Sequence, residues 1–432
     1  MRIDYNLDGY SYITDDTSSI NEETLFVLTA QNQKYFEKLE IKPSFITPKN
    51  LISKWDLNSI KAVGVTGTNG KTTVTASIYS FLLDLGEKVA LQGTRGFFAN
   101  EQRLEEKIMT TPSILETLYH MKLAKDRGCD YFIMEVSSHA IDQNRIEGIE
   151  FALKVHTNVT SDHLDYHKTV EEYRAVKSRF FADNSPKLLN KDDIKNIKYN
   201  PKNAQSYGVD EPATFKVQAF SLRNGITAGI KHLSKEATIN SPMVGLFNLY
   251  NLMAGVGATV MLTGKSIEEV SKVVPNFAGV AGRMEVVSTN PLVIVDFAHT
   301  DDGMIQVLDS MKDRDISVVF GAGGDRDRTK RPRMGAVASK FAKKVYVTSD
   351  NPRTEDPAVI IKDILSGIKD QSNTRAMVDR AFAIEEALKE LEDDEVLMIL
   401  GKGDEDYIDI NGVKTHFDDR EVVRLLLEKI KK

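Results

Sequence analysis

The residues with the clearest capacity for chemistry form a glycine-rich segment, GVTGTNGKTT, which runs from Gly64 to Thr73. Glycines let successive backbone N–H groups curl around phosphate oxygens, Lys71 adds a positive charge, and Thr72 offers a hydroxyl to Mg²⁺. The strict GxxxxGK[ST] pattern would require glycine at Val65, so the segment is a shortened relative of that pattern. Because it lies between a predicted strand and a predicted helix, we interpret it as a loop that binds a nucleoside triphosphate.

Two polar segments that follow predicted strands offer further ligands. Glu135 ends the apolar strand YFIMEV, where its carboxylate could hold Mg²⁺ or simply be solvated, and spacing alone favours neither interpretation. The segment SDHLDYH, Ser161–His167, contains two aspartates and two histidines that could act as metal ligands or as acid–base groups. A polar helix start capped by aspartate is the more ordinary interpretation of that pattern.

Two cations stand out for different reasons. Lys177 lies on a predicted amphipathic helix, beside the apolar face, and periodicity alone predicts a surface lysine whose stem packs along that face. Arg353 ends the motif DNPR after a predicted strand, and its planar fork suits a carboxylate ligand. The upstream loop GAGGDRDRTKRP adds basic residues that favour acidic ligands, although such a tract is usually solvated.

The elements that must position these residues follow an α/β pattern. A strand at Ile60–Thr66, a helix at Thr72–Leu85 and a strand at Val89–Leu91 form a predicted βαβ unit, which indicates a parallel sheet covered by helices. Short alternating strands between Pro186 and Pro242 predict an antiparallel appendage. The last third repeats an apolar strand and a polar loop four times, and ligands bind at the carboxyl ends of such strands.

Length and composition limit the class of protein. The chain has 432 residues, of which 41% are hydrophobic and 28% charged, and its formal net charge is −7. These values fit a folded globular protein and argue against general binding to nucleic acid or anionic membranes. Cys129 is the only cysteine, which excludes intrachain disulfides, and we see neither a secretory signal nor a run of about 18 apolar residues.

We therefore predict a cytoplasmic α/β protein of three domains. A small N-terminal α/β domain would occupy residues 1–57, and a central α/β domain with the phosphate loop and a parallel sheet residues 58–282. A C-terminal Rossmann-like α/β domain would occupy residues 283–432, with a hinge at Gly279–Gly282 and a cleft beside the central domain.

Taken together, the motifs resemble those of the Mur ligases, most closely the MurE type, in both order and approximate spacing. They are GTNGKTT, TTPS, EVSSHA, SDHLDYH, YRAVK, GLFNLYN, AGRMEVV, DFAHT, GAGGDRDRTKRP, SDNPR and GKGDEDY. The resemblance runs from about Lys61 to the C-terminus and implies an ATP-dependent amide ligase of peptidoglycan precursor synthesis. Such an enzyme adds meso-diaminopimelate to UDP-MurNAc-L-Ala-D-Glu through an acyl phosphate, which gives the UDP-MurNAc-tripeptide, ADP and phosphate.

The resemblance also implies roles for individual residues. Thr72 and Glu135 match a first Mg²⁺ site, and His163 and Lys177 match a second, with Lys177 carbamylated to N6-carboxylysine; Lys71, Glu135, His163 and Lys177 would be the catalytic set. The positions that match ATP contacts are Gly67, Thr68, Asn69, Gly70, Lys71, Thr72, Thr73, Asn248, Asn251, Arg283, Asp296 and His299. Those that match UDP-MurNAc-dipeptide contacts are Thr17, Thr110, Thr111, Ser137, Gln143 and Arg145. Those that match diaminopimelate contacts are Arg326, Asp350, Asn351, Arg353, Gly401 and Glu405.

Three motifs depart from the family pattern. Asp16-Thr17-Ser18 replaces the usual Asp-Ser-Arg, Asp301 replaces a proline, and Asp404 stands where histidine is common.

Two other functions compete with this prediction. An enzyme like folylpolyglutamate synthetase would share the phosphate loop but is not expected to carry SDNPR and GKGDEDY. A regulator without catalysis would be expected to lack some of the metal ligands, which are all present. We expect a monomer that binds only small molecules, without nucleic acid or membrane insertion.

Overall fold

The computed structural model describes residues 1–106, 109–160, 164–223 and 225–430, which divide into two compact units. The first contains Met1–Pro242 and Asn248–Phe277, and the second contains Met243–Phe247 and Ala278–Lys432. Both units combine helices with sheets that are largely parallel, and the predicted α/β class is confirmed. The boundaries of the three predicted domains stay a prediction.

A four-stranded sheet begins the first unit. Its first pair of strands is antiparallel and the next two pairs are parallel. Its strands and helices are β1 (Arg2–Leu7), β2 (Tyr10–Thr14), β3 (Thr24–Val27), β4 (Phe45–Ile46), α1 (Gln33–Phe36) and α2 (Pro48–Lys54). Apolar residues of this segment, among them Val27 and Trp55, share one core with Phe132 of the large sheet that follows. The N-terminal segment is therefore part of the first unit's core.

An 11-stranded sheet carries the phosphate loop. Its strands are β5 (Lys61–Thr66), β6 (Val89–Gly93), β7 (Gly96–Ala99), β8 (Gln102–Glu106), β9 (Tyr131–Glu135), β10 (Phe151–His156), β11 (Lys187–Asn190), β12 (Ala204–Gly208), β13 (Phe215–Ser221), β14 (Ile226–His232) and β15 (Lys235–Ser241). The order is β15-β14-β13-β12-β11-β10-β5-β9-β6-β7-β8. The α-helices of this part are α3 (Lys71–Asp84), α4 (Ile114–Asp126), α5 (Ser138–Asp142), α6 (Leu164–His167), α7 (Val170–Arg179), α8 (Leu246–Thr263) and α9 (Ile267–Ser271).

The predicted antiparallel appendage is wrong for the first part of its range. β11 pairs parallel with β10, β12 with β11, and β13 with β12, so these strands extend the central sheet. Among the described residues of this range, the antiparallel pairs are β13 with β14 and β14 with β15. A 3-10 segment, Lys191–Asn196, lies between β11 and β12 and lets the chain return to the same end of the sheet, which a parallel pair requires.

Helix α8 is long and apolar, although polar residues interrupt its apolar sequence. Among the described residues it is the one helix that could cross a membrane by length and composition, with a mean hydropathy of 1.3. Within the fold, 67% of that stretch is buried. Its apolar character is therefore that of a core helix.

The second unit contains a six-stranded sheet of order β16-β17-β21-β18-β19-β20. Its strands are β16 (Glu285–Thr289), β17 (Leu292–Asp296), β18 (Ile316–Phe320), β19 (Lys344–Val347), β20 (Thr374–Ala376) and β21 (Val396–Leu400), followed by a hairpin of β22 (Tyr407–Ile410) and β23 (Val413–His416). Its helices are α10 (Asp301–Asp309), α11 (Lys330–Phe341), α12 (Pro357–Leu365), α13 (Arg380–Lys389) and α14 (Asp419–Ile430). The four predicted apolar strands are β17, β18, β19 and β21; they run parallel, so their polar loops emerge at one edge.

Candidate active site

The phosphate loop connects β5 to α3, and its shape depends on two glycines. Gly70 caps the helix in the left-handed region, with φ +83°, and a Cβ there would collide with Oδ1 of Asn251. A Cβ on Gly67 would collide with the hydroxyl of Thr157. Both positions therefore require glycine on steric grounds, and Gly70 also on conformational grounds. The start of a 14-residue helix here supplies the backbone N–H groups that favour an anion.

The segment after β10 supports this loop from the side. The Asn158 carbonyl accepts a hydrogen bond from the Thr68 N–H (2.7 Å), and its side-chain oxygen accepts one from the Asn69 N–H (3.0 Å). Thr157 donates its hydroxyl to the Asn69 carbonyl at 2.6 Å, and the hydroxyls of Tyr173 and Thr68 lie 3.1 Å apart. Sequence reasoning missed these supporting residues because uncharged polar side chains after a strand are too common to single out.

Lys71 folds back over the loop. Its ammonium donates to the carbonyls of Gly67 (2.9 Å) and Thr68 (2.8 Å). Asn251, on α8, donates to Oδ1 of Asn248 at 3.0 Å and faces Gly70, so the two asparagines matched to ATP lie beside the loop. A fixed cation over a cradle of backbone amides is an arrangement suited to phosphate.

Glu135 is held against Thr72. The glutamate is 1% exposed; its Oε2 accepts the Thr72 hydroxyl at 3.0 Å and its Oε1 accepts the Thr94 N–H at 2.9 Å. This burial excludes the interpretation of Glu135 as a solvated loop acid. A carboxylate and a hydroxyl at the phosphate loop are the oxygen ligands that Mg²⁺ prefers, so these residues fit that ion.

Lys177 contradicts the prediction made from periodicity. It is 1% exposed, and its ammonium donates to the Gly67 carbonyl (2.9 Å) and to the Thr66 hydroxyl (3.3 Å), 5.0 Å from the Tyr173 ring centre. A lysine beside an apolar helix face can extend into the core when oxygen atoms there accept hydrogen bonds from its ammonium. The periodicity of the helix alone does not reveal such acceptors. The end of the Lys177 side chain thus lies directly beneath the phosphate loop.

The second metal ligand implied by the resemblance, His163, lies outside the described residues, as does Asp162. The side chain of Asp165 is also outside them. His167, at the end of the same segment, is buried and lies 3.0 Å from the Ser138 hydroxyl, measured from its Nε2.

Five of the six residues matched to the UDP-sugar peptide surround the carboxyl end of β9. The Thr111 hydroxyl donates to the Glu135 carbonyl at 2.9 Å and accepts the Ser137 N–H at 3.0 Å. Arg145 donates to the Thr111 carbonyl at 2.9 Å and to Oε1 of Gln143 at 2.6 Å. Thr110 lies 3.1 Å from the Thr94 hydroxyl, and Thr17 lies apart in sequence on the 3-10 turn Thr17–Ser19. A polar surface next to Glu135 results.

In the second unit, the three residues matched to ATP lie at or near the end of β17. Asp296 is buried and accepts the N–H groups of Met284 (2.8 Å) and Ala298 (2.7 Å). Burial raises the pKa of Asp296, while nearby Arg283 opposes that shift. The Arg283 guanidinium lies 4.5 Å from the Phe297 ring centre, next to His299.

The residues matched to diaminopimelate meet at the ends of β18, β19 and β21. Asn351 donates to Oε2 of Glu405 at 2.8 Å. Arg353 donates to the Gly324 carbonyl at 2.7 Å, and a Cβ on Gly323 would lie within 4 Å of both Arg326 and Arg353. A Cβ on Gly401, at φ +114°, would lie 2.6 Å from Oδ2 of Asp350, so side chains from three loops converge here.

Two arginines of the segment GAGGDRDRTKRP form ion pairs with acidic side chains of the protein. Arg331 is fully buried and binds Glu355 at 2.8 Å and Asp363 at 2.9 Å, and Arg328 reaches Glu355 at 2.9 Å. Arg331 lowers the pKa of Glu355 to about 2. Of the departures from the family pattern, Asp301 begins α10 and pairs with Arg333 at 2.7 Å.

Comparisons with known proteins show the family of the chain. Residues 65–259 match the family described as Mur ligase middle domain, and residues 282–403 match the Mur ligase, glutamate ligase domain. A protein of Wolinella succinogenes named UDP-N-acetylmuramoyl-L-alanyl-D-glutamate--2,6-diaminopimelate ligase is 51% identical over 433 residues, covering 100% of this chain and 99% of the relative. A Helicobacter pylori protein of the same name is 48% identical and covers 97% of this chain and 96% of the relative.

Solved structures give the same picture of the fold. A structure with that ligase name superposes with a TM-score of 0.71 at 29% identity and covers 99% of this chain and 98% of its own. The folylpolyglutamate synthase of Mycobacterium tuberculosis, complexed with ADP, gives a TM-score of 0.64 at 16% identity over 82% of this chain and 91% of its own. At that identity the second likeness concerns the fold alone.

Proposed function

The chain belongs to the Mur ligase family, MurE type, and we propose that it uses ATP to join meso-diaminopimelate to UDP-MurNAc-L-Ala-D-Glu. The observation that carries the proposal is the convergence of Thr72, Glu135 and Lys177 on the phosphate loop of a chain that is 51% identical over its full length to a ligase of that name. The products are the UDP-MurNAc-tripeptide, ADP and phosphate.

In this proposal the phosphate loop and Lys71 bind the ATP phosphates. Bound Mg²⁺ supplies neutralisation of charge between the triphosphate and the attacking carboxylate. Thr72 and Glu135 would hold one ion. Their hydroxyl and carboxylate oxygens already lie 3.0 Å apart, so the pair needs little rearrangement to offer two oxygens to one ion.

Lys177 and His163 would hold a second ion, provided that Lys177 is carbamylated. An ammonium cannot bind a cation, whereas a carbamate on the same nitrogen carries an anionic oxygen. The buried Lys177 nitrogen lies 2.9 Å from the Gly67 carbonyl, at the base of the phosphate loop, and this position supports the proposed role.

The chemistry requires positioning and charge stabilisation more than a protein nucleophile. The terminal carboxylate of the dipeptide attacks the γ-phosphorus, ADP leaves, and the amine of the incoming amino acid then displaces phosphate from the acyl phosphate. Thr111, Ser137 and Arg145 would orient the UDP-sugar peptide beside Glu135. Asn248, Asn251, Arg283, Asp296 and His299 match nucleotide contacts of the family, and we propose that role for each of them.

We assign the choice of amino acid to the second unit. Diaminopimelate differs from lysine by one carboxylate, and Arg353 offers a fork that matches it, while Glu405 would take the ammonium beside that carboxylate. A lysine substrate would leave the guanidinium without its partner, which is the condition for strong discrimination. We also propose that the enzyme acts as a monomer in the cytoplasm.

The test is a substrate comparison. The protein is incubated with ATP, Mg²⁺ and UDP-MurNAc-L-Ala-D-Glu, and either meso-diaminopimelate or L-lysine is added while phosphate and tripeptide are measured. We expect both products with diaminopimelate and little of either with lysine. A preference for lysine would remove the role assigned to Arg353, and no turnover with either amino acid would refute the proposed function.

A further inference from the structure

A buried lysine without a role in the proposed mechanism lies beside Asp350, Asn351 and Glu405 in the second unit. Lys402 follows β21 and is 0% exposed. Its ammonium lies 2.5 Å from the Tyr407 carbonyl, 3.4 Å from Oδ1 of Asn351, 3.6 Å from Oε2 of Glu405 and 3.9 Å from Oδ1 of Asp350. Burial of a lysine is costly unless its charge is paired and hydrogen-bonded, so this placement needs an explanation.

Lys402 bears directly on the orientation of the Asn351 amide. Oδ1 of Asn351 accepts from the Lys402 ammonium and also from the Asp409 N–H, at 2.9 Å. Nδ2 of Asn351 donates to Glu405. Turning the amide by 180° would set its N–H groups against two donors and its oxygen against a carboxylate, so the network permits one orientation.

We propose that Lys402 is a positioning residue for the amino-acid substrate, because it holds the Asn351 amide so that this side chain can only donate hydrogen bonds towards the ligand. The proposal rests on the proposed function and adds to it. With both lone pairs of Oδ1 engaged, the remaining N–H of Asn351 selects an anionic or carbonyl oxygen at that point of the substrate.

The same ammonium also affects Glu405. The carboxylates of Glu405 and buried Asp350 both lie within 4 Å of the Lys402 ammonium, whose positive charge offsets the repulsion between them. The Lys402 ammonium attracts the Glu405 carboxylate and holds it in place for a substrate ammonium. Its hydrogen bond to the Tyr407 carbonyl ties the β22–β23 hairpin, which also supplies the Asp409 N–H, to this arrangement.

The experiment uses the full chain and the variants K402M and K402Q, with K414M as the matched control. Lys414 belongs to the same hairpin, is exposed, and lies over the outer face of the Tyr407 ring at 4.1 Å. The Michaelis constants for meso-diaminopimelate, ATP and UDP-MurNAc-L-Ala-D-Glu are measured for each, together with thermal unfolding. The diaminopimelate constant is also measured in N351A and in the double variant N351A/K402M.

We expect at least one folded Lys402 variant to raise the diaminopimelate constant about tenfold or more, while the other two constants change less than about twofold, as the loss of one hydrogen bond to a charged group implies. K414M should change none of them. Because Lys402 acts through Asn351 and through Glu405, to which Asn351 itself donates, the two substitutions remove the same network, and the double variant should be little worse than N351A alone.

Three results would overturn the proposal: an unchanged diaminopimelate constant, an equal rise in all three constants, or additive effects in the double variant. Failure of both Lys402 variants to fold would assign the residue a purely structural role instead. Absence of turnover by the unmodified chain would refute the proposed function and this proposal together. Normal turnover by the unmodified chain, with an unaffected diaminopimelate constant in every Lys402 variant that folds, would refute the positioning role alone.

Discussion

Replacing Arg353 with alanine tests how the protein distinguishes diaminopimelate from lysine. The Arg353 backbone is fixed on both sides: its N–H donates to the Asp409 carbonyl (3.0 Å) and its carbonyl accepts the Asn411 N–H (2.9 Å). One nitrogen of its guanidinium is held by the Gly324 carbonyl at 2.7 Å. The side chain is therefore positioned before the substrate arrives, and little conformational entropy remains to be lost on binding.

The size of the effect follows from this anchoring. A hydrogen bond to a charged group contributes about 1.5–3 kcal/mol, so losing the contact to the substrate carboxylate should weaken diaminopimelate use about 10- to 150-fold. Arg353 has φ +51°, and alanine keeps the Cβ, so the backbone strain at this position does not change. The variant should therefore report on the guanidinium alone.

The assay compares kcat/KM for meso-diaminopimelate and for L-lysine, with the Michaelis constant for ATP measured in parallel. We expect R353A to lose most of its preference for diaminopimelate while the ATP constant stays within about twofold. R328A is the matched control, since the Arg328 side chain is 66% exposed and pairs with Glu355 at 2.9 Å. An unchanged diaminopimelate constant in R353A, or an equal loss in R328A, would refute the reasoning.

Three further predictions concern the phosphate loop, the buried Lys177 beside it, and the ion pair between Arg331 and Glu355. K177A should lose most activity and regain part of it when a small carboxylic acid is added, since the acid can replace the proposed carbamate; full activity without the acid would remove Lys177 from the metal site. G70A should abolish ATP binding measured by calorimetry, because the new Cβ would collide with Asn251 at φ +83°; normal binding would contradict the proposed loop geometry. The pKa of Glu355 is lowered to about 2 by Arg331, so its stabilising effect is complete above the unfolded pKa near 4.5 and is lost as pH falls towards 2. In urea unfolding, E355Q should therefore differ more from the unmodified chain at pH 7 than at pH 3, and a constant difference would exclude this ion pair as the cause.

Much of the architecture was determined by local sequence. The βαβ unit around the phosphate loop and the four apolar strands of the last third were correctly predicted, since strand runs, glycines and helix periodicity are all local patterns. Because parallel strands expose their carboxyl ends at one edge, the sequence also indicated that the loops carrying Arg353 and Glu405 share that edge.

Tertiary structure decided what those patterns leave open. Periodicity placed Lys177 at the surface, and only the fold reveals the Gly67 carbonyl and Thr66 hydroxyl that allow it to be buried. The sequence did not single out Lys402, because two of the groups around its ammonium, Asp350 and Asn351, belong to a distant segment of the chain. A buried charge is stable only where distant polar groups converge on it, and such convergence is set by the packing of the whole unit rather than by neighbours in sequence.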